Sequence, residues 1–142
     1  MSLRILLSGA SGRMGQQLEA LAGQDTELEI VGRADQRQSF NADADGHVII
    51  DFSQPALCQQ SLSFALANCV PIVIGTTGLD AELEVQIVAA SEQIPICKAA
   101  NFSIGIEVLR SIVKRVSEQL GPAFDIEITE THHRDKRDAP SG

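Results

Sequence analysis

A chain of 142 residues, 44% hydrophobic and 21% charged, is long enough for one domain with a true core and too short for two full ones. Nineteen acidic groups against eleven basic ones give a net charge of -8, and all five aromatic residues are Phe. Phosphate is repelled by such a surface and base-stacking platforms are scarce, so the balance speaks against a general nucleic-acid partner.

Three cysteines (Cys58, Cys69 and Cys97) with no C-x-x-C spacing read as reduced thiols rather than a disulfide frame or a zinc site. The apolar run after Met1 is too short for a signal peptide, and nothing approaches the ~20 apolar residues of a membrane span. The expectation is a cytoplasmic protein.

Leu3–Ser8 is a short apolar run stopping at Gly9-Ala10-Ser11-Gly12-Arg13-Met14-Gly15, after which Met14, Leu18, Leu21 and Ala22 recur at helical spacing and Gly23 supplies a stop. Strand, glycine turn and helix form the context of a dinucleotide fingerprint, here relaxed to G-x-x-G-x-x-G. The glycines let backbone approach a pyrophosphate, favoured by free N–H groups and the dipole at the helix N-terminus.

Leu28–Ala34 is a second strand ending at Asp35, about 20 residues past the glycines, where an acidic residue bonds the adenine ribose hydroxyls; a plain turn aspartate is the alternative. Arg33 and Arg37 flank it, leaving room for a 2′-phosphate. Gln36–Gly46 reads as polar loop. His47–Phe52 is a third strand, with Ser53 as helix cap and Pro55 in the first turn; His47 reads as a surface histidine. Val70–Ile74 is a fourth strand, ending at Gly75-Thr76-Thr77-Gly78, which is either a ligand-facing edge or a tight turn.

Asp80 caps a helix carrying Leu83, Ile87, Val88 and Ala90. Ile94–Cys97 is a fifth strand, and Ser103 caps a long helix with Leu109, Ile112, Val113, Val116 and Leu120 on one face, ended by Gly121-Pro122. Phe124, Ile126 and Ile128 then alternate with polar residues as a half-exposed strand of a different sheet. Five strand–helix alternations predict an α/β fold, a doubly wound parallel sheet of Rossmann-like type, over residues 1–122. Residues 123–142 would begin a second, α+β domain.

The last stretch, Glu130–Gly142, holds His132, His133, Arg134, Asp135, Lys136 and Asp138 ahead of the turn Ala139-Pro140-Ser141-Gly142. No core can be built from it, so it is either a solvated tail or a reactive loop. A metal site from His132, His133, Asp135 and Asp138 is disfavoured, because adjacent histidines rarely point at one ion.

Together the glycine turn, Asp51-Phe52-Ser53, Gly75-Thr76-Thr77-Gly78, Ala100-Asn101-Phe102-Ser103 and the run from Glu130-Thr131-His132-His133 to Asp138-Ala139-Pro140-Ser141-Gly142 resemble the dihydrodipicolinate reductase family. The resemblance runs from Leu3 to Gly142. It implies reduction of the cyclic dicarboxylate imine 4-hydroxy-tetrahydrodipicolinate in diaminopimelate and lysine synthesis, with NADH, NADPH or both as cofactor. It further implies that Gly9, Ala10, Ser11, Gly12, Arg13 and Met14 form the pyrophosphate turn and that Asp35 is the ribose contact. Gly75, Thr76, Thr77, Ala99, Ala100, Asn101 and Phe102 would line the nicotinamide side. His132 and Lys136 match the family's proton donors; His133 and Gly142, joined by the Ser141 amide, match positions that hold the substrate.

The residue chemistry agrees with those roles. Imine reduction needs a hydride and a proton, and an imidazole of ordinary pKa ~6.5 carries a proton near neutrality. A dicarboxylate needs cations and N–H donors, which Arg134, Lys136 and the Ser141–Gly142 amides supply. The family's motif continues with a threonine after the final glycine and then a second, tetramer-forming domain, so the sequence is expected to be the N-terminal portion of a longer homotetrameric enzyme. Gln36 stands where relatives often carry arginine, which leaves NADPH preference open. A non-catalytic NAD(H)-binding module is the alternative of a different class.

Overall fold

The computed structural model describes residues 2–129 and Thr131. Contacts gather into two compact units, Met1–Ala99 and Ala100–Gly142.

The first unit contains β1 (Leu3–Ser8), α1 (Arg13–Ala22), β2 (Leu28–Ala34), β3 (Val48–Asp51), α2 (Pro55–Asn68), β4 (Ile72–Ile74), α3 (Ala81–Ser91) and β5 (Ile96–Lys98). Every pairing is parallel, and the strand order is β2-β1-β3-β4-β5. This is the doubly wound α/β sheet expected from the alternation of apolar runs and amphipathic segments. The alternation is broken once. No described helix joins β2 to β3, where residues 35–47 cross as a loop. Its polar sequence offers no helical stripe, and it is tacked down instead by Phe40, whose ring lies 5.2 Å from that of Phe64.

β1 and β2 have the expected bounds, but β4 and β5 begin two residues later than their apolar runs. The prolines explain this. Pro71 and Pro95 have no N–H for a ladder and act only as acceptors, from Ile49 at 2.8 Å and Ile72 at 3.0 Å. The residues before them close helices instead: Val70 N–H donates to Ala65 and Ile94 N–H to Ala90.

The core lies between the sheet and the second and third helices. Leu6, Ile49, Ile72 and Ile74 pack with Cys58, Leu62 and Ala65 of α2 and with Leu83, Ile87 and Ala90 of α3. Each fully buried Leu or Ile contributes about 1.5–3 kcal/mol. Val88, another of the apolar residues that α3 carries, is exposed. On α1 the buried positions are Gly15 and Ala22, whereas Met14 and Leu21 are exposed. Gly15 packs closely against the preceding turn, and of the larger apolar residues Leu18 is half-buried.

In the second unit, α4 (Ile104–Leu120) ends at Gly121, whose φ of +67 favours glycine. Its N-cap, Ser103, makes no side-chain capping bond; the Asn101 side-chain oxygen accepts the Ser103 N–H at 2.7 Å instead. The expected strand from Phe124 to Thr129 does not form: after a short turn at Gly121–Ala123, residues 125–129 have no regular structure. A strand exists through its ladder, and no described residue pairs with this segment. Among the described residues, no helix is long and apolar enough to cross a membrane.

Candidate functional site

Three of the loops at the C-terminal edge of the first unit's sheet meet around Gly9. Gly9 has φ +81, a left-handed conformation, and its N–H donates to Ala34 at 2.9 Å, tying the end of β1 to that of β2. Its carbonyl accepts the Gly12 N–H at 2.9 Å and closes the turn. A Cβ on Gly9 would lie 2.8 Å from the Phe52 carbonyl carbon and nearer still to its oxygen; one on Gly15 would lie 2.6 Å from the Ala10 oxygen. Both glycines are therefore dictated by backbone on backbone. Gly12 differs, because a Cβ there would meet only the Gly9 oxygen at 3.1 Å.

A cleft of about 530 Å³ opens beside this turn, lined by Gly9, Ser11 and Gly12 after β1, residues 35–39 after β2, and Phe52, Ser53, Gln54, Ala56, Leu57 and Gln60 after β3. It sits between β1 and β3, where the strand order reverses, which is the ligand position in open α/β sheets. Small-molecule sites span about 300–1,000 Å³, so its size is suitable.

Its electrostatics favour an anion. The first bond of α1 runs from Gln16 N–H to Gly12, so the N–H groups of Arg13, Met14 and Gly15 have no acceptor inside the helix. Neither α1 nor α2 has a side-chain cap or an acidic residue in its first turn. By contrast α3, whose start does not line the cleft, is capped by Asp80 and carries Glu82 and Glu84 in its first turn. Two helix starts thus meet the cleft with neither a side-chain cap nor an acid in their own first turns.

Asp35 is half-buried on the lining, and its Oδ1 accepts the N–H groups of Arg37 at 2.8 Å and Gln38 at 3.1 Å. The turn reading and the ligand reading of this aspartate coexist, since one oxygen shapes the turn that borders the cleft. Arg33 is committed to an ion pair with Glu19 of α1, whereas Arg37 lines the cleft.

Ser53, expected to cap α2, does something else. The N-cap is Gln54, and Ser53 bonds to Asp51 through both its N–H (3.3 Å) and its hydroxyl (2.8 Å). Asp51, the last residue of β3, is fully buried, and its Oδ1 also accepts the hydroxyl of Thr76. Its Oδ2 has no hydrogen-bond partner among the described residues. Beside it the Cys58 thiol is pushed up to about 12, first by burial and then by the Asp51 charge.

Of the other expected cofactor residues, Gly75, Thr76, Thr77 and Ala99 follow β4 and β5 and do not line this cleft. Gly75 abuts the Phe52 ring, Thr76 is buried with its hydroxyl on Asp51, and Thr77 is exposed. Ala100, Asn101 and Phe102 belong to the second unit. His132, His133, Lys136, Ser141 and Gly142 lie outside the described residues. Among those described, no group of three His, Cys, Asp or Glu side chains could hold a metal ion.

Sequence reasoning passed over Gln38, Ser39, Gln54, Ala56, Leu57 and Gln60 as lining residues. The one available signal was Pro55 in the first turn of a helix with no acid there, marking a second open N-terminus.

A family model described as "Dihydrodipicolinate reductase, N-terminus" matches residues 3–102, and one described as "Dihydrodipicolinate reductase, C-terminus" matches residues 105–142. The chain belongs to the dihydrodipicolinate reductase family. A protein of Rubrobacter xylanophilus named 4-hydroxy-tetrahydrodipicolinate reductase is 37% identical over 161 residues, covering 99% of this chain and 60% of the relative. Proteins of the same name from Xylella fastidiosa and Akkermansia muciniphila are 41% and 44% identical, again over 99% of this chain, with 65% and 57% of the relatives covered. The chain thus spans about 60% of the length of the curated relatives it matches.

Proposed function

We propose that this chain carries the dinucleotide site and the beginning of the substrate site of an NAD(P)H-dependent reductase. The reaction is reduction of the cyclic imine 4-hydroxy-tetrahydrodipicolinate to tetrahydrodipicolinate, a step of diaminopimelate and lysine synthesis. The observation that carries the reading is the cleft at the strand-order reversal, bordered by the Gly9–Gly12 turn and by Asp35. Its two uncapped helix starts suit a pyrophosphate, and Gly12 leaves the space that backbone approach needs.

When bound, the nicotinamide supplies the hydride. The Gly9–Gly12 turn holds the diphosphate and Asp35 the adenine ribose. We propose NADH as the tighter ligand, because the Asp35 carboxylate opposes a 2′-phosphate, Gln36 brings no charge and Arg33 is occupied by Glu19. Arg37 is the single cation on the lining among the described residues and leaves NADPH a weaker ligand. From the sequence motif, His132 provides the proton that neutralises the reduced ring and Lys136 serves its nitrogen, while His133, Ser141 and Gly142 hold the carboxylates. The setting is the cytoplasm, in keeping with three free thiols among the described residues, and the assembly a homotetramer, on the family resemblance.

The test combines binding and turnover. NADH and NADPH are titrated with and without a pyridine dicarboxylate, and imine-dependent NADH oxidation is followed in a chain extended to the length of its relatives. His132→Gln should lower that turnover by about a hundredfold or more while cofactor affinity is retained. Parent turnover in the variant removes His132 from the reaction.

A further inference from the structure

We infer that Asp51 is a positioning residue for the cleft, its buried carboxylate holding the loops after β3 and β4 in the arrangement that binding requires; this rests on the dinucleotide reading above. The carboxylate is fully buried at the sheet's C-terminal edge, where a charge is costly unless all its lone pairs are used. Here the use is lopsided, with the bonds from Ser53 and Thr76 all gathered on Oδ1 and the Cys58 thiol beside the same carboxylate. Those bonds come from two separate loops. Ser53 reaches Oδ1 from just after β3, and Thr76 reaches it from just after β4.

The two loops are also tied to each other. The Ser53 N–H donates to Thr76 Oγ1 at 2.8 Å, and the Gly75 N–H donates to the Asp51 carbonyl at 2.8 Å. Ser53 lines the cleft with its neighbours Phe52 and Gln54, whereas Thr76 lies buried behind it. Phe52 in turn abuts Gly9 through its backbone. A shift of Ser53 therefore moves the cleft wall and the start of α2 together. Asp51 bears on the cleft through Ser53 and Phe52, which makes it a positioning residue rather than a contact.

The experiment titrates NADH and NADPH into the chain and into Asp51→Asn, Asp51→Ala, Thr76→Val and Thr76→Ser variants. Each is measured at a temperature where far-UV circular dichroism shows it folded. Asn keeps an acceptor oxygen and Ser keeps the hydroxyl, so these two should bind within about threefold of the parent, whereas Ala and Val should bind at least about tenfold more weakly. A purely structural role would lower the melting temperature and leave these affinities alone. Thr76→Val that is folded and binds within about threefold of the parent overturns the proposal, even where Asp51→Ala does not fold. If the parent chain binds neither nucleotide, the dinucleotide reading itself falls.

Discussion

Replacing Gly9 and Gly12 by alanine, one at a time, should break two different properties of the same turn. At Gly9 the added methyl carries two penalties. A residue with a side chain held at φ +81 loses about 1–2 kcal/mol. Its Cβ would also press on the Phe52 carbonyl, and overpacking against rigid backbone costs about 1–3 kcal/mol. The sum, about 2–5 kcal/mol, is a large share of a small domain's stability of about 5–15 kcal/mol. At about 4–8 °C per kcal/mol for a unit of this size, the melting temperature should fall by at least about 8 °C.

At Gly12 the backbone is extended (φ -77, ψ 169) and the nearest atom to a new Cβ is 3.1 Å away. The loss of a good N-cap residue costs only about 0.5–1 kcal/mol. The methyl would stand where the diphosphate must approach the helix start, so NADH affinity should fall by about tenfold or more, equivalent to about 1.4 kcal/mol. Far-UV circular dichroism reports the first effect. The fluorescence of NADH itself reports the second, in a chain with neither Trp nor Tyr. Equal melting temperatures for Gly9→Ala and the parent, or equal NADH affinities for Gly12→Ala and the parent, would refute this account of the turn.

Asp35→Asn keeps an oxygen for the Arg37 and Gln38 amides but removes the charge, so the ratio of NADPH to NADH affinity should rise by about tenfold; an unchanged ratio in parallel titrations would detach Asp35 from nucleotide choice. Alkylation under native conditions should modify Cys69 and Cys97, which are exposed, and spare Cys58 until the protein unfolds. Because burial raises the Cys58 thiol from 9.0 to about 12, its contribution to stability is complete below pH 9 and is lost as pH climbs towards 12; Cys58→Ala should remove that part of the alkaline fall in denaturation midpoint. Asp80→Ala should cost about 0.5–2 kcal/mol by uncapping α3, seen as a lower urea midpoint with dinucleotide affinity unchanged.

The sheet was legible because its strands are buried apolar runs ended by glycine or polar turns, and parallel pairing needs little more than that. What could not be read at the level of single residues was set by contacts between distant segments. Pro71 and Pro95 offer the neighbouring strands a carbonyl and no N–H, and the strands begin after them. Ser53 has the composition of a cap, yet a carboxylate two residues back and a threonine 23 residues ahead claim it. On α1 the hydrophobic stripe misled at Met14 and Leu21, which are exposed, while Gly15, outside the stripe, is buried with Ala22. The glycine turn and Asp35 were found by spacing, whereas the lining from α2 was missed because unfilled N–H groups leave almost no mark on a sequence. The reactive histidines and Lys136 were recognised as a motif, and the described residues stop short of them.

Phe52 imposes glycine on two loops by different means. Against Gly9 it presents its carbonyl, which every residue at position 52 would present, while against Gly75 it presents its ring, three of whose carbons lie within 2.6 Å of where a Cβ would stand. The two constraints therefore have unequal evolutionary reach. Shrinking the side chain at position 52 would open position 75 to alanine, so those two sites can drift as a pair through compensating change. Position 9 has no such partner, because no substitution at 52 withdraws a peptide oxygen.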